Sequence, residues 1–76
     1  MRPETQAEVD ALVKHGVRDI RGAAAFLGTS KRTVQLMIQR RAVWSFMDGS
    51  KRKIPLAELR RYLGVVAMRA VPQEVM

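Results

Sequence analysis

Apolar residues recur at helical spacing in four stretches of the chain and crowd into one short stretch that is not helical. Residues 3–15 carry a stripe of Val9, Leu12 and Val13. Pro3 suits a first helical position, and Glu4 and Glu8 suit the positive end of the helix dipole. Lys14 and His15 suit its negative end, and Gly16 is a stop signal. Asp19 is an N-cap for a second helix over residues 20–27, where Gly22-Ala23-Ala24-Ala25 give a thin surface and Phe26 and Leu27 the bulk. Gly28 breaks that pattern and Ser30 caps a third helix over residues 31–41. At about 100° per residue, Val34, Met37, Ile38 and the stem of Arg41 share its inner face. Arg32, Gln35, Leu36 and Gln39 share the opposite one. Residues 42–47 read as a strand, Asp48-Gly49 as a hairpin turn, and residues 51–54 as the returning strand, which Pro55 ends. Leu59, Tyr62 and Leu63 restore helical spacing over residues 56–63, and Gly64 is a second stop. Residues 64–76 form an apolar tail interrupted by Pro72.

These elements predict a mainly α fold with a small β-hairpin. A chain of 76 residues is one domain with a thin core, burying only about 60% of its unfolded surface. Without cysteine, neither a disulfide nor a thiolate metal site supplements that core. Hydrophobic residues at 47% place the chain among folded proteins. No apolar run approaches the roughly 20 residues of a membrane span, and residues 1–6 lack a signal-peptide core, so the expected location is the cytoplasm.

Charge sharpens the picture. The net charge is +7, and all of the excess lies between Lys31 and Arg61. There, nine basic residues face only Asp48 and Glu58, while the rest of the chain is balanced. A concentrated basic block favours a polyanion, because contacts to phosphates release condensed counterions.

The block coincides with a helix, turn, helix, hairpin, helix order. In such an order the first helix braces the second, whose outer face is offered to the major groove. Arg32 suits two acceptors of guanine, and Gln35 and Gln39 the donor–acceptor pair of adenine. Leu36 is open between a thymine methyl and a neighbouring protomer. Lys31, Thr33 and Arg40 flank this face and suit phosphates. Ser50, at the hairpin tip, and Lys51, Arg52 and Lys53 form a second contact. Alternation along the strand prevents Lys51 and Arg52 from aiming the same way, so one is expected in the minor groove and another on its backbone.

Residues 19–63 resemble the small winged helix-turn-helix domain shared by excisionases and the DNA-binding part of the MerR family. The resemblance rests on Ala23-Ala24-Ala25-Phe26-Leu27-Gly28-Thr29-Ser30-Lys31-Arg32-Thr33-Val34. It continues in Lys51-Arg52-Lys53-Ile54-Pro55 followed by Leu59 and Tyr62-Leu63. Gly22, Leu36, Arg41 and Trp44 depart from the pattern, which often has Glu, a basic residue, Gly and Pro there. The resemblance implies a winged helix-turn-helix with an extra N-terminal helix. It further implies an excisionase of a phage or other mobile element in a bacterial host. Such proteins cut nothing; they bind and bend attachment-site DNA so that an integrase assembles for excision. The implied partners are double-stranded DNA, an integrase and neighbouring protomers, with no cofactor, metal or small-molecule ligand. MerR-type regulators carry a long dimerising helix and an effector region, for which residues 64–76 are too few. Val65, Val66, Met68 and Val71 are left either for a protomer or integrase, or for packing on residues 3–15.

An enzyme is not expected, since the chain has one His, no Cys, scattered acids and no phosphate-cradling glycine loop. His15 reads as a helix-end residue, and Trp44 and Phe46 as core. A small transcriptional regulator using the same DNA face is the main alternative. An adaptor whose basic face meets an acidic protein is another. RNA binding is weaker, for want of an aromatic stacking surface.

Overall fold

Local caps set the two central helices. The computed structural model describes residues 3–69. In it, α2 (Ile20–Leu27) starts where the Asp19 carboxylate accepts the Gly22 N–H at 2.7 Å. It stops at Gly28, whose φ of 68° is the left-handed geometry that glycine adopts without cost. After the turn, α3 (Lys31–Gln39) starts where the Ser30 hydroxyl accepts the Thr33 N–H at 3.1 Å. Both starts are the expected ones. The end of α3 is earlier than expected: Arg41 takes φ 61° and closes the helix. Its N–H donates to Ile38 O at 3.0 Å, and that of Ala42 to Met37 O at 2.8 Å. This is the Schellman pattern usually built on glycine. A side chain in that conformation costs roughly 1–2 kcal/mol. The Arg41 stem is therefore not on the core face; the residue is exposed.

The other elements differ more from expectation. The first helix, α1, is Gln6–Val13 and not residues 3–15. Thr5 caps it, accepting the Glu8 N–H at 3.2 Å while its hydroxyl donates to the Glu8 carboxylate at 3.1 Å. That reciprocal pair leaves Pro3 outside the helix. β1 (Val17–Asp19) is a strand the hydrophobic pattern did not reveal. The expected strand over residues 42–47 shrinks to β2 (Phe46–Asp48), because residues 42–45 are irregular. β3 (Lys51–Pro55) runs one residue beyond the expected strand, and α4 (Leu56–Arg69) continues through Gly64. One interior glycine costs a helix only about 1 kcal/mol, too little to end this one. Residues 70–76 of the expected tail, Val71 among them, lie outside the described residues.

The sheet is antiparallel in the order β1-β3-β2. Asp48 pairs with Lys51 across a two-residue Gly49-Ser50 turn, and only Gly49 has positive φ there, at 66°. Glycine at the first turn position matches the right-handed twist of the strands. On the other edge Arg18 pairs with Ile54 and Asp19 with Lys53. The hairpin is thus bound to the start of α2 through β1. The chain is mainly helical with one small hairpin-bearing sheet.

The core lies between α2, α3, β3 and α4. Ala23, Ala24, Val34, Met37, Val43, Ile54, Leu56 and Leu59 are buried together. Ala23 and Ala24 let α3 approach α2 closely, and Val34 is fully buried against them. Of the two residues expected to supply bulk, Leu27 packs on the core and Phe26 is 38% exposed. Trp44 and Phe46 are half-buried and stack on each other at 5.4 Å, outside the core cluster. Val43 takes the core position instead. Leu63, Val65 and Val66 stay exposed on α4. No helix among the described residues is long and apolar enough to cross a membrane.

Candidate nucleic-acid interface

Burial of Val34 and Met37 on one side of α3 turns the other side outward. Lys31, Arg32, Thr33, Gln35, Gln39 and Arg40 are all exposed. The Thr33 hydroxyl also lies 3.0 Å from that of Ser30, so it shares in the helix cap. Leu36, assigned to the outer face, is half-buried, though it is not packed on the core cluster.

The hairpin stands beside this helix. A groove of about 330 Å³ is lined by Lys31 and Gln35 of α3, Lys51 and Arg52 of β3, and Arg21 of α2. The structure thus brings four sequence-assigned site residues together. Arg32, Leu36, Gln39, Arg40 and Ser50 are not among the residues lining it. Lys51 and Ser50 are exposed at the hairpin. Arg52 is half-buried and folds back, its Nη1 donating to the Ser45 hydroxyl at 3.0 Å. It follows Ile54 on the inner face of β3, as alternation requires. Lys53 is half-buried opposite Asp19.

Asp19 is the acid in this groove. Its carboxyl is held below the ordinary carboxylate range, first by the Gly22 N–H and then by Lys53, Lys51 and Arg21, with desolvation opposing. It stays ionised and offsets part of the basic charge while fixing the start of α2.

The second acid acts as a clasp. Glu58 is 4% exposed, and its two carboxylate oxygens have defined donors. Oε1 accepts the Trp44 N–H at 2.7 Å, and Oε2 accepts Arg61 Nε at 2.9 Å. Arg61 Nη2 donates to Glu58 Oε1 at 3.2 Å and to Ala42 O at 2.7 Å. The Glu58 hydrogen bond raises the Arg61 pKa above its ordinary value. Together they tie the irregular segment between α3 and β2 to α4, which fixes where the hairpin leaves the helix. Arg61, the last residue of the basic block, belongs to this clasp. Among the described residues it forms the one ion pair within 4 Å. The other eight basic residues of the 31–61 block have no acid at that range among the described residues.

Sequence reasoning missed Arg21, Arg41, Ser45 and the Glu58–Arg61 pair. A lone glutamate within a basic block was the available signal for the pair. Nothing along the chain signalled Arg21, because β1, which carries the start of α2 to the hairpin, was itself hidden. Among the described residues no cluster of three metal-ligating side chains exists.

Comparison with protein-family models, with characterised proteins and with solved structures found no match to this chain.

Proposed function

We propose that this chain is a sequence-specific binder of double-stranded DNA, built as a winged helix-turn-helix, and that it acts as an excisionase. In this reading α2 and α3 are the helix-turn-helix, the β2–β3 hairpin is the wing, and α1 is the extra N-terminal helix. Arg32, Gln35 and Gln39 face base edges in the major groove. Lys31, Thr33 and Arg40 hold phosphates, and Ser50 and Lys51 approach the neighbouring minor groove. Lys53 lies further back with its charge set against Asp19, while Arg52 braces the wing through Ser45 and still lines the groove with Lys51.

The observation that carries the reading is the shared groove. A buried apolar stripe turns the polar side of α3 outward, and the basic hairpin lies beside the Lys31 and Gln35 edge of that side. Excision as the purpose is supported by the resemblance of residues 19–63 to excisionases. Bending a short attachment site costs about 1–6 kcal/mol, which contacts from several bound protomers offset. An integrase does the cutting, in a bacterial cytoplasm.

The test is an integration–excision assay with the integrase of the same mobile element, combined with footprinting. Stimulated excision, inhibited integration and tandem footprints beside the core site support the proposal. A single footprint at a promoter with no effect on recombination makes the protein a transcriptional regulator instead.

A further inference from the structure

The edge of α3 that faces the hairpin lines a second cleft beyond Gln35. Lys31, Gln35 and Ile38 follow one another along a single strip of the helix. A second cleft, of about 380 Å³, opens at Ile38 and is lined also by Arg41, Trp44, Ser45, Arg52 and Arg61. Arg52 lines both cavities, so its side chain stands where the two meet the hairpin side of α3.

The cations in this cleft differ in what they are free to do. Arg61 is occupied by Glu58 and Ala42 O. The Glu58 carboxylate, also in the wall, has both oxygens taken by Arg61 and the Trp44 N–H. Arg52 gives one N–H to Ser45 and keeps the rest of its five. Arg41 is exposed, and among the described residues its side chain makes no hydrogen bond or ion pair. Yet Arg41 occupies a left-handed position where glycine would make the same two capping hydrogen bonds without strain. Among the described residues its side chain therefore adds no hydrogen bond or ion pair that would offset the strain.

We propose that Arg41, with Arg52, seats one sugar–phosphate strand of a DNA duplex in this cleft. The inference rests on the DNA-binding reading above and deepens it. A helix in the major groove and a hairpin at the adjacent minor groove stand on either side of one backbone strand, which must pass between them. The two clefts beside α3, with Arg52 lining both, mark its path. Guanidinium groups match phosphate oxygens in a two-pronged geometry. A helix C-terminus by itself repels an anion. Here the Schellman bonds engage the last carbonyls, and Arg41 supplies the compensating charge.

The full chain carrying Arg41→Gly or Arg41→Lys tests this by thermal unfolding and by binding to a random-sequence duplex between 50 and 200 mM salt (about the range over which such binding is steep). Arg41→Gly is expected to raise Tm while lowering affinity several-fold and the salt slope by about 1. Arg41→Lys keeps the charge and should keep the slope. An unchanged slope in Arg41→Gly overturns the seat, whatever happens to Tm. If Tm falls along with the slope, Arg41→Lys decides: a retained slope supports the seat, and a lost one overturns it. Wild-type protein that binds no duplex ends the DNA-binding reading itself, whereas wild-type binding with an unaltered Arg41→Gly slope ends the seat alone.

Discussion

Replacing Arg61 by alanine isolates the clasp from the surrounding basic surface. The substitution removes the donors at 2.9 and 3.2 Å from Glu58 and the donor at 2.7 Å from Ala42 O. Glu58, 4% exposed in the intact protein, is left with the Trp44 N–H as its remaining partner. Stranding a fully buried charge costs about 3–5 kcal/mol. The Arg61 side chain is 39% exposed, so water already screens part of the pair, and about 2–3 kcal/mol is the expected loss. For a domain of this size each kcal/mol moves Tm by about 4–8 °C, so Tm should fall by roughly 10–20 °C. Glu58→Gln retains an acceptor for Trp44 and strands no charge, so it should cost less, about 1–2 kcal/mol. The exposed neighbour Arg60 supplies the control, since Arg60→Ala should stay within about 0.5 kcal/mol of the parent. Thermal and urea unfolding followed by circular dichroism read all three. If Arg61→Ala unfolds no more easily than Arg60→Ala, the buried pair does not hold the segment leading into the hairpin.

Three further outcomes are expected. Arg32→Ala should weaken binding to the preferred site by about 1–3 kcal/mol and broaden sequence preference in a selection from random duplexes; an equal loss on every sequence would make Arg32 a phosphate contact. Lys51→Ala with Arg52→Ala should lower the salt slope by about 1–2, measured by anisotropy titration, and an unaltered slope removes the hairpin from the interface. Asp19→Asn should destabilise the protein most above the ordinary carboxylate range, about pH 4. The folded-state pKa is lowered, so Asp19 contributes while ionised and that contribution fades as pH falls through the folded value. Urea midpoints of parent and variant should therefore converge in acid, and a gap that stays constant down to about pH 2 would remove the charge contribution.

What was legible in the sequence was what neighbouring residues decide. Asp19 and Ser30 placed the starts of α2 and α3, and Gly28 the end of α2, because each cap acts within one helical turn. Val34 and Met37 on one face left Arg32 and Gln35 on the other for the same reason. What was hidden depends on partners far along the chain. β1 is three residues long and is a strand only because β3 pairs with it. Without β1, nothing brings Arg21 to the hairpin. Arg41 reads as the last inward residue of a helix until its φ reverses, and the competition between one more helical turn and a Schellman closure is settled by Ala42 and Met37 together. Glu58 reads as one more surface charge until α4 packs beneath Trp44.

In the proposed complex the outer face of α3 and the basic hairpin meet one duplex together. Amide chemical-shift mapping of the ¹⁵N-labelled protein titrated with a short duplex at low salt tests it most directly. The expected result is a contiguous set of shifts over residues 31–41 and 49–53, with α1 unaffected. Shifts confined to α1 and the far half of α4, or to one of the two segments without the other, would contradict it.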